Sequence, residues 1–279
     1  MKLKRLQPSQ AEEGFTLIEL SIVLVIIGLI IGGVLVGRDL IEAANIRATV
    51  SQYEKFNTAA HAFQLKYGYL PGDLPNSANF GFTAISSVLL EGMGVTPGNG
   101  LIESTNGAAE ASNAIPAQET TQFWRQLFVA DLINSPISDP GDGPPVLTQG
   151  EVGNYFPPAK IGNNNFWVVY NDGSFNYYEL TGLTGVNGAY NYPKNYLTPL
   201  QAFAIDQKID DGLPGSGTVM ASISLNWNDY GINHLAYQYS QISQYNNGNY
   251  CLDITVSKYN TATSNAANTP ACSLQLKLQ

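Results

Sequence analysis

The chain has 279 residues, of which 44% are hydrophobic and only 13% are charged, against ~25% charged residues in typical soluble domains. This length and apolar content are sufficient for a sizeable buried core, which excludes a disordered tail. The formal net charge of −9 argues against nucleic acid as a partner, because phosphate binding depends on an excess of Lys and Arg.

An apolar segment near the N-terminus is the first predicted element. Residues 20–36 are almost all Leu, Ile, Val and Gly, and FTLIE precedes them. About 20 apolar residues cross a bilayer, so this stretch is long enough to span a membrane. Lys2, Lys4 and Arg5 precede it, and the positive-inside rule places that end in the cytoplasm. We therefore expect everything after Arg38 to lie outside the cytoplasmic membrane.

A cleaved secretory signal is an alternative, because it also combines a basic start with an apolar run. Its small-residue cleavage site follows an apolar run of about 7 to 15 residues. Here the run is longer, and the sequence VGRDLIEAANIRA that follows it offers only weak cleavage sites. These features favour a span that stays attached.

The segment GFTLIEL, residues 14–20, joins a candidate cleavage site ahead of the apolar run to a carboxylate within it. It resembles the prepilin cleavage motif of type IV pilins and type II secretion pseudopilins. The resemblance makes residues 1–14 a leader that ends at Gly14, and it makes Phe15 the first mature residue. It also implies that a membrane prepilin peptidase cuts between Gly14 and Phe15 and methylates the new amine of Phe15.

Glu19 is the carboxylate inside the apolar run, at the fifth mature position of the motif. An ionised carboxylate within a membrane costs several kcal/mol, so such residues nearly always have partners. The terminal ammonium of Phe15 lies about one helical turn away and is one candidate partner. The resemblance implies instead the ammonium of a neighbouring subunit, which would set axial register. Both pairings can hold in turn, and we expect a role in assembly; an incidental charge near the headgroups is the alternative.

The same helix is predicted to continue beyond the membrane. No proline lies between Pro8 and Pro71, so one helix can run from about Thr16 to Lys66, and Gly68 is a natural C-cap. An apolar stripe with spacings of three and four residues comprises Ile46, Val50, Tyr53, Phe56, Ala60, Phe63 and Tyr67. The helix is therefore expected to span the membrane to about residue 37 and to be amphipathic beyond it.

Three glycines mark a departure from many pilins, which carry a proline about twenty residues into the mature helix. This chain has Gly32, Gly33 and Gly37 instead. Glycine destabilises a helix by up to about 1 kcal/mol and can permit local unwinding. Small residues also permit close helix packing in lipid, and the sequence leaves both uses open.

Residues 68–279 are predicted to form a globular α+β domain with long loops over 91–118 and 134–165. Helices are expected at 119–133 and after Thr198, which is an N-cap followed by Pro199. FWVVY and FNYYEL flank a hairpin turn at 171–174, and TVMASISL and YCLDITV read as further strands. The predicted fold class is α+β and pilin-like: a long N-terminal helix packed on a C-terminal antiparallel β-sheet domain.

Three aspartates precede a Gly-rich turn: Asp206, Asp210 and Asp211. Calcium sites gather several oxygens around a tight turn, and some pseudopilins bind calcium in their globular domain. The spacing does not match an EF-hand, and a helix end followed by a turn explains the same residues. Calcium is therefore an open alternative, and no other cofactor is expected.

Catalytic residues are scarce, so the protein is not expected to be an enzyme. The two histidines, His61 and His234, lack a nucleophile or metal-ligand partner at a recognisable spacing. The Tyr- and Asn-rich segment 234–250 could stack on sugars or bind another subunit, although an aromatic strand face is more often part of the core.

The two cysteines, Cys251 and Cys272, are predicted to form a disulfide. Both lie outside the cytoplasm under the predicted topology, where disulfides persist. The residues between them have little apolar content, so a covalent link has a clear physical use. The pair resembles the C-terminal cysteines of many type IV pilins, which enclose an exposed loop. Two free buried thiols and pairing between chains are the alternatives.

Two classes of function remain. The resemblance implies a structural subunit, a minor pilin or pseudopilin, of a type IV pilus or type II secretion system. Its expected partners are other subunits, prepilin peptidase, the inner-membrane assembly platform and membrane lipid. It would sit in the inner membrane with a periplasmic C-terminal domain, then enter a pseudopilus or surface pilus. The alternative is a signal-anchored periplasmic binding or adhesion module outside any filament.

Overall fold

A computed structural model describes residues 16–83, 96–103, 119–139, 147–148, 150–162, 164–187, 190–194, 197–222, 251–253, 256–261 and 268–279. The chain divides into two compact units, Met1–Ala44 and Asn45–Gln279. Helix α1 spans Leu17–Tyr67, α2 spans Glu119–Val129 and α3 spans Pro199–Ile209. The strands are β1 (Leu147–Thr148), β2 (Asn165–Asn171), β3 (Asn176–Asn187), β4 (Tyr190–Lys194), β5 (Val219–Ser222), β6 (Leu252–Asp253), β7 (Lys258–Tyr259) and β8 (Ser273–Lys277).

The first part of α1 is the only helix in the described ranges that is long and apolar enough, by length and composition, to cross a membrane. From Leu17 to Ile41 its large apolar side chains are about half exposed or more. Helical conformation continues through Gly32, Gly33 and Gly37 without unwinding. The prediction of one helix from about residue 16 to 66 is therefore confirmed.

The second part of α1 packs its apolar face into the core of the globular unit. Five of the seven stripe residues are buried, and Val50 and Tyr67 are half-buried against the same core. The stripe omitted Thr49 and Ala59, which are also buried. The Thr49 hydroxyl is accommodated there because it donates to the carbonyl oxygen of Asn45 at 2.8 Å.

Aromatic contacts join α1 to α2 and to the sheet. The Phe56 ring lies edge-on to Trp124 of α2, with 4.8 Å between ring centroids, and to Trp167 of β2 at 5.9 Å. Edge-to-face pairs of this kind add to the free energy gained by burying the rings. The Tyr53 hydroxyl also donates to the backbone oxygen of Lys277 in β8 at 2.7 Å. This packing produces the predicted α+β arrangement.

Strand β3 is the centre of an antiparallel six-stranded sheet. It pairs with β1, β2, β4 and β8, and β5 pairs with β8. The β2–β3 hairpin is the predicted one, with Asn171 opposite Asn176. The Asp172 carboxylate closes its turn by accepting from the backbone N–H groups of Ser174 and Phe175 at 2.8 and 2.7 Å. Strands β6 and β7 form a separate two-stranded sheet.

Two predicted boundaries were wrong. Helix α2 ends at Val129 rather than 133, because Asp131 adopts a left-handed conformation with φ 57°. The Leu132 N–H donates to the backbone oxygen of Leu127, and the Asp131 N–H donates to the backbone oxygen of Phe128. These two bonds form a Schellman motif with Asp131 in the position usually taken by Gly. In YCLDITV, only Leu252–Asp253 is a strand among the described residues. Segment 234–250 lies outside the described residues.

Candidate assembly site at the start of helix α1

At the start of α1, Thr16 and Glu19 are joined by hydrogen bonds in both directions. Oε2 of Glu19 accepts from the Thr16 backbone N–H at 2.8 Å and from the Thr16 hydroxyl at 2.7 Å. The Glu19 backbone N–H approaches the same hydroxyl oxygen at 3.3 Å. The reciprocal pair is a capping box, which satisfies N–H groups that have no partner within the helix.

The capping box gives Glu19 a role that the predictions did not include. The signal was in the sequence, because Thr16 and Glu19 form the T-x-x-E pattern that precedes an apolar run at a helix start. Both bonds from Thr16 end on Oε2, which leaves Oε1 of the exposed carboxylate to a cation. Gly14 and Phe15 lie outside the described residues, so the pairing of Glu19 with an ammonium stays a prediction.

The disulfide between Cys251 and Cys272 is present, with an S–S distance of 1.97 Å and both cysteines fully buried. Backbone bonds fix both ends of the enclosed loop. The N–H groups of Ala271 and Cys272 donate to the oxygen of Leu197, each at 2.9 Å, and the Asn260 N–H donates to the oxygen of Cys251 at 2.9 Å. The disulfide prediction is confirmed. The backbone bonds to Leu197 attach the end of the loop to the segment ahead of α3.

The three aspartates of the proposed calcium loop do converge, with one carboxylate oxygen of each within 4.8 Å of the others. Their oxygens already accept protein hydrogen bonds. Asp210 accepts from the N–H groups of Thr218 and Val219, and Asp211 accepts from Leu213 and Ser216. Calcium takes six to eight oxygen ligands, whereas these carboxylates close a helix end and its turn. The helix-end interpretation accounts for the cluster, and calcium binding stays a prediction.

Asp206 is the buried member of this cluster. Its Oδ2 accepts from the Tyr259 hydroxyl at 2.8 Å and its Oδ1 from the Gly212 N–H at 3.1 Å. Burial raises the pKa of Asp206 to about 6, against the lowering effect of these two hydrogen bonds. Because Tyr259 belongs to β7 inside the disulfide loop, Asp206 is a second attachment of that loop to α3.

His61 is the one histidine in the described part of the chain. It is exposed on α1, and His234 lies outside the described residues. The one cluster of three or more potential metal ligands in the described part of the chain is the aspartate group above.

Comparison with protein families gives a match to the prokaryotic N-terminal methylation motif over residues 10–35. No curated protein and no solved structure matches the chain. The matched residues include Gly14, Phe15, Thr16 and Glu19 and the first part of α1. The motif and the long apolar helix fit a membrane-anchored, pilin-like protein of a structural family, processed by prepilin peptidase. The chain therefore carries the prepilin motif of the type IV pilins and pseudopilins.

Proposed function

We propose that this protein is a minor pilin or pseudopilin, a structural subunit that enters a type IV pilus or a type II secretion pseudopilus through α1. The observation that carries the proposal is the start of α1, where Oε1 of an exposed Glu19 can receive a cation within the methylation motif. The size of the globular unit, Asn45–Gln279, favours a minor or large-domain subunit over a slim major one.

Assembly by this route requires three kinds of partner. Prepilin peptidase removes residues 1–14 and methylates Phe15, and the inner-membrane platform then extracts the mature chain from lipid. Other subunits pack against the apolar surface between Leu17 and Ile41, whose side chains have no protein neighbour in the described residues to bury them. Membrane lipid covers this surface before assembly, with the globular unit in the periplasm.

Processing is the first test. We expect the mature protein to begin at Phe15 and to contain 279 − 14 = 265 residues. Intact-mass analysis of protein extracted from membranes, followed by N-terminal peptide sequencing, measures both the cut and the added methyl group. A native chain that starts at Met1, or at a residue beyond Val36, would contradict the proposal.

Three substitutions separate the charge of Glu19 from its capping role. Glu19→Gln keeps an N3 side chain that serves in a capping box but removes the charge, and Glu19→Ala removes both. Thr16→Val removes only the hydroxyl contacts of the capping box and keeps the charge. We expect Glu19→Gln and Glu19→Ala to reduce recovery in sheared filaments by about tenfold or more. Either substitution would leave the terminal ammonium without its carboxylate partner. An unpaired charge in a membrane costs roughly 3 kcal/mol, and each 1.4 kcal/mol changes an equilibrium constant by a factor of ten. Thr16→Val should assemble nearly as well as wild type.

Immunoblots of filament and membrane fractions provide the measurement, and equal membrane levels of all variants provide the control. If Glu19→Gln assembles normally while Glu19→Ala does not, the cap rather than the charge is essential. If wild-type protein is processed at Phe15 but never enters a filament, the signal-anchored binding module becomes the better description.

A further inference from the structure

The 96–103 segment is held in place by side chains rather than by a neighbouring strand. Asp73, in the turn after α1, accepts from three consecutive backbone N–H groups of this segment. Its Oδ1 bonds to Gly98 and to Asn99 at 3.1 Å, and its Oδ2 bonds to Gly100 at 2.8 Å. Consecutive N–H groups form an anion-binding nest, and here the anion is the protein's own carboxylate.

The other end of the 96–103 segment is bound by the sheet and by α2. The Ile102 N–H donates to Oδ1 of Asn176 at 2.8 Å, and the Asn171 amide donates to the oxygen of Ile102 at 2.7 Å. The Glu103 N–H donates to Oε2 of Glu119 at 2.7 Å. Glu119, the first residue of α2, is therefore the side chain that attaches the segment to this helix.

Glu119 has an unusual environment for a carboxylate. It is fully buried, and its second oxygen, Oε1, has no hydrogen-bond partner. Among the described residues, the charged groups that act on it are Asp73 and Glu103, and both are carboxylates. Burial raises the pKa of Glu119 to about 9, and the two like charges raise it further against the bond from Glu103.

The neighbouring Gln122 lacks partners of its own. It is 1% exposed, and neither its amide oxygen nor its amide nitrogen has a hydrogen-bond partner. Residues three apart on a helix lie on the same face, so Gln122 is the next side chain along the face that carries Glu119. A proton on Oε1 of Glu119 would supply the donor that the oxygen of Gln122 lacks.

We propose that Glu119 is held as a neutral carboxylic acid whose Oε1–H donates to the amide oxygen of Gln122, and that loss of this proton releases the 96–103 segment from α2. The proton makes Oε1 a donor, so one buried bond satisfies two groups that otherwise have none. An ionised Glu119 would leave a buried charge beside two carboxylates, which is strongly unfavourable. We call this pH-dependent attachment of the 96–103 segment to α2 the latch.

In the described part of the chain, no charged or hydroxyl group of the elements packed around Glu119 takes the place of this proton. The start of a helix favours a negative charge, but this effect is smaller than that of burying an unpaired charge. Arg125 is directed elsewhere, since its Nη1 donates to the oxygen of Ile137 at 2.6 Å. Phe56 and Trp167, which pack against α2 from α1 and β2, are neutral rings. Burial raises the pKa of Tyr178 well above its ordinary value, so that hydroxyl keeps its own proton.

The sign of the pH dependence follows from the raised pKa. Between the unfolded value of 4.5 and the folded value of about 9, the folded state holds one proton more than the unfolded state. Stability therefore falls as pH rises through this range and levels off above it. Asp73 and Asp206, with pKa values of about 6, act in the same direction only up to about pH 6. Among the described groups with a raised carboxyl pKa, Glu119 is the one whose proton uptake differs between the folded and unfolded states from about pH 6.5 to 8.5.

The test uses the full chain in detergent micelles with two variants, Glu119→Gln and the control Glu54→Gln, whose carboxylate is exposed on α1. In wild type and in the control, the unfolding equilibrium constant should rise about tenfold per pH unit between about pH 6.5 and 8.5, and Glu119→Gln should lose this slope. Infrared spectra at neutral pH should show a protonated carboxyl C=O band that Glu119→Gln lacks. Amide exchange at Glu103, corrected for intrinsic rates, should accelerate at high pH only when Glu119 is present.

Each readout can overturn the proposal independently. Parallel pH profiles for wild type and Glu119→Gln would show that Glu119 exchanges no proton on unfolding. Absence of the carboxyl band from wild-type protein at neutral pH would show an ionised Glu119, and this measurement does not depend on the folding of any variant. If protection of the Glu103 amide from exchange does not change with pH, the latch does not exist, even if Glu119 carries the proton.

Discussion

Removing the disulfide with Cys251→Ala and Cys272→Ala together should lower the free energy of unfolding by about 2–5 kcal/mol. The bridge closes a loop with a sequence separation of 21, for which the chain-entropy model gives roughly 3 kcal/mol. Alanine is preferred to serine because both positions are fully buried, and a serine hydroxyl there would add an unsatisfied polar group. Urea unfolding followed by tryptophan fluorescence measures the loss.

Reduced wild-type protein is the matched control for the disulfide. It should unfold close to the double alanine variant, and non-reducing peptide mapping should recover the Cys251–Cys272 peptide pair only before reduction. An unchanged midpoint after removal of the bridge would mean that Asp206–Tyr259 and the backbone bonds at Leu197 hold the loop without it.

Replacing Gly72 with alanine should destabilise the protein by about 2–5 kcal/mol. Gly72 has φ +86°, and a Cβ there would overlap the backbone oxygen of Glu119 and lie 3.2 Å from the N–H nitrogen of Phe123. The left-handed conformation costs an alanine about 1–2 kcal/mol, and forcing the turn away from α2 adds about 1–3 kcal/mol. The shift would also strain the bond from the Gly72 N–H to Oε1 of Gln126, which is 2.7 Å long.

Gly68→Ala is the control that isolates the steric part. Gly68 has a similar φ of +82°, but a Cβ there meets nothing within 4 Å. It should therefore lose only the conformational contribution, about 1–2 kcal/mol. Equal losses for the two variants in urea unfolding would show that the turn can move away from α2 at no cost.

The parts of the fold that the sequence predicted are those set by local chemistry. Thr198 caps α3 as expected, because its hydroxyl accepts from the Gln201 N–H and the Gln201 side chain accepts in return. The β2–β3 hairpin and the buried face of α1 follow from turn residues and from helical spacing. The position of the 96–103 segment, in contrast, could not be predicted from the sequence. Its partners, Asp73, Asn171 and Asn176, are distant in sequence, so no local pattern could reveal them.

In the candidate site too, some contacts could be predicted from the sequence and others could not. Cys251 and Cys272 could be paired from topology and loop composition, and the aspartates converge because they lie at one helix end. The bond between Thr16 and Glu19 is not among the predictions, because the apolar residues around the carboxylate indicate a charge in lipid. Its T-x-x-E spacing also describes a helix start, and the capping bonds use only Oε2. The proposed assembly role of Glu19 is therefore compatible with its local role in the capping box.

The capping box has a consequence for the order of events during maturation. The Thr16 N–H that donates to Glu19 belongs to the peptide bond between Phe15 and Thr16, which the proposed cleavage after Gly14 would leave intact. Precursor and mature chain can therefore keep the same first turn of α1. The peptidase can change the charge at the end of the chain without any refolding of the helix, so proteolysis and folding become separable steps.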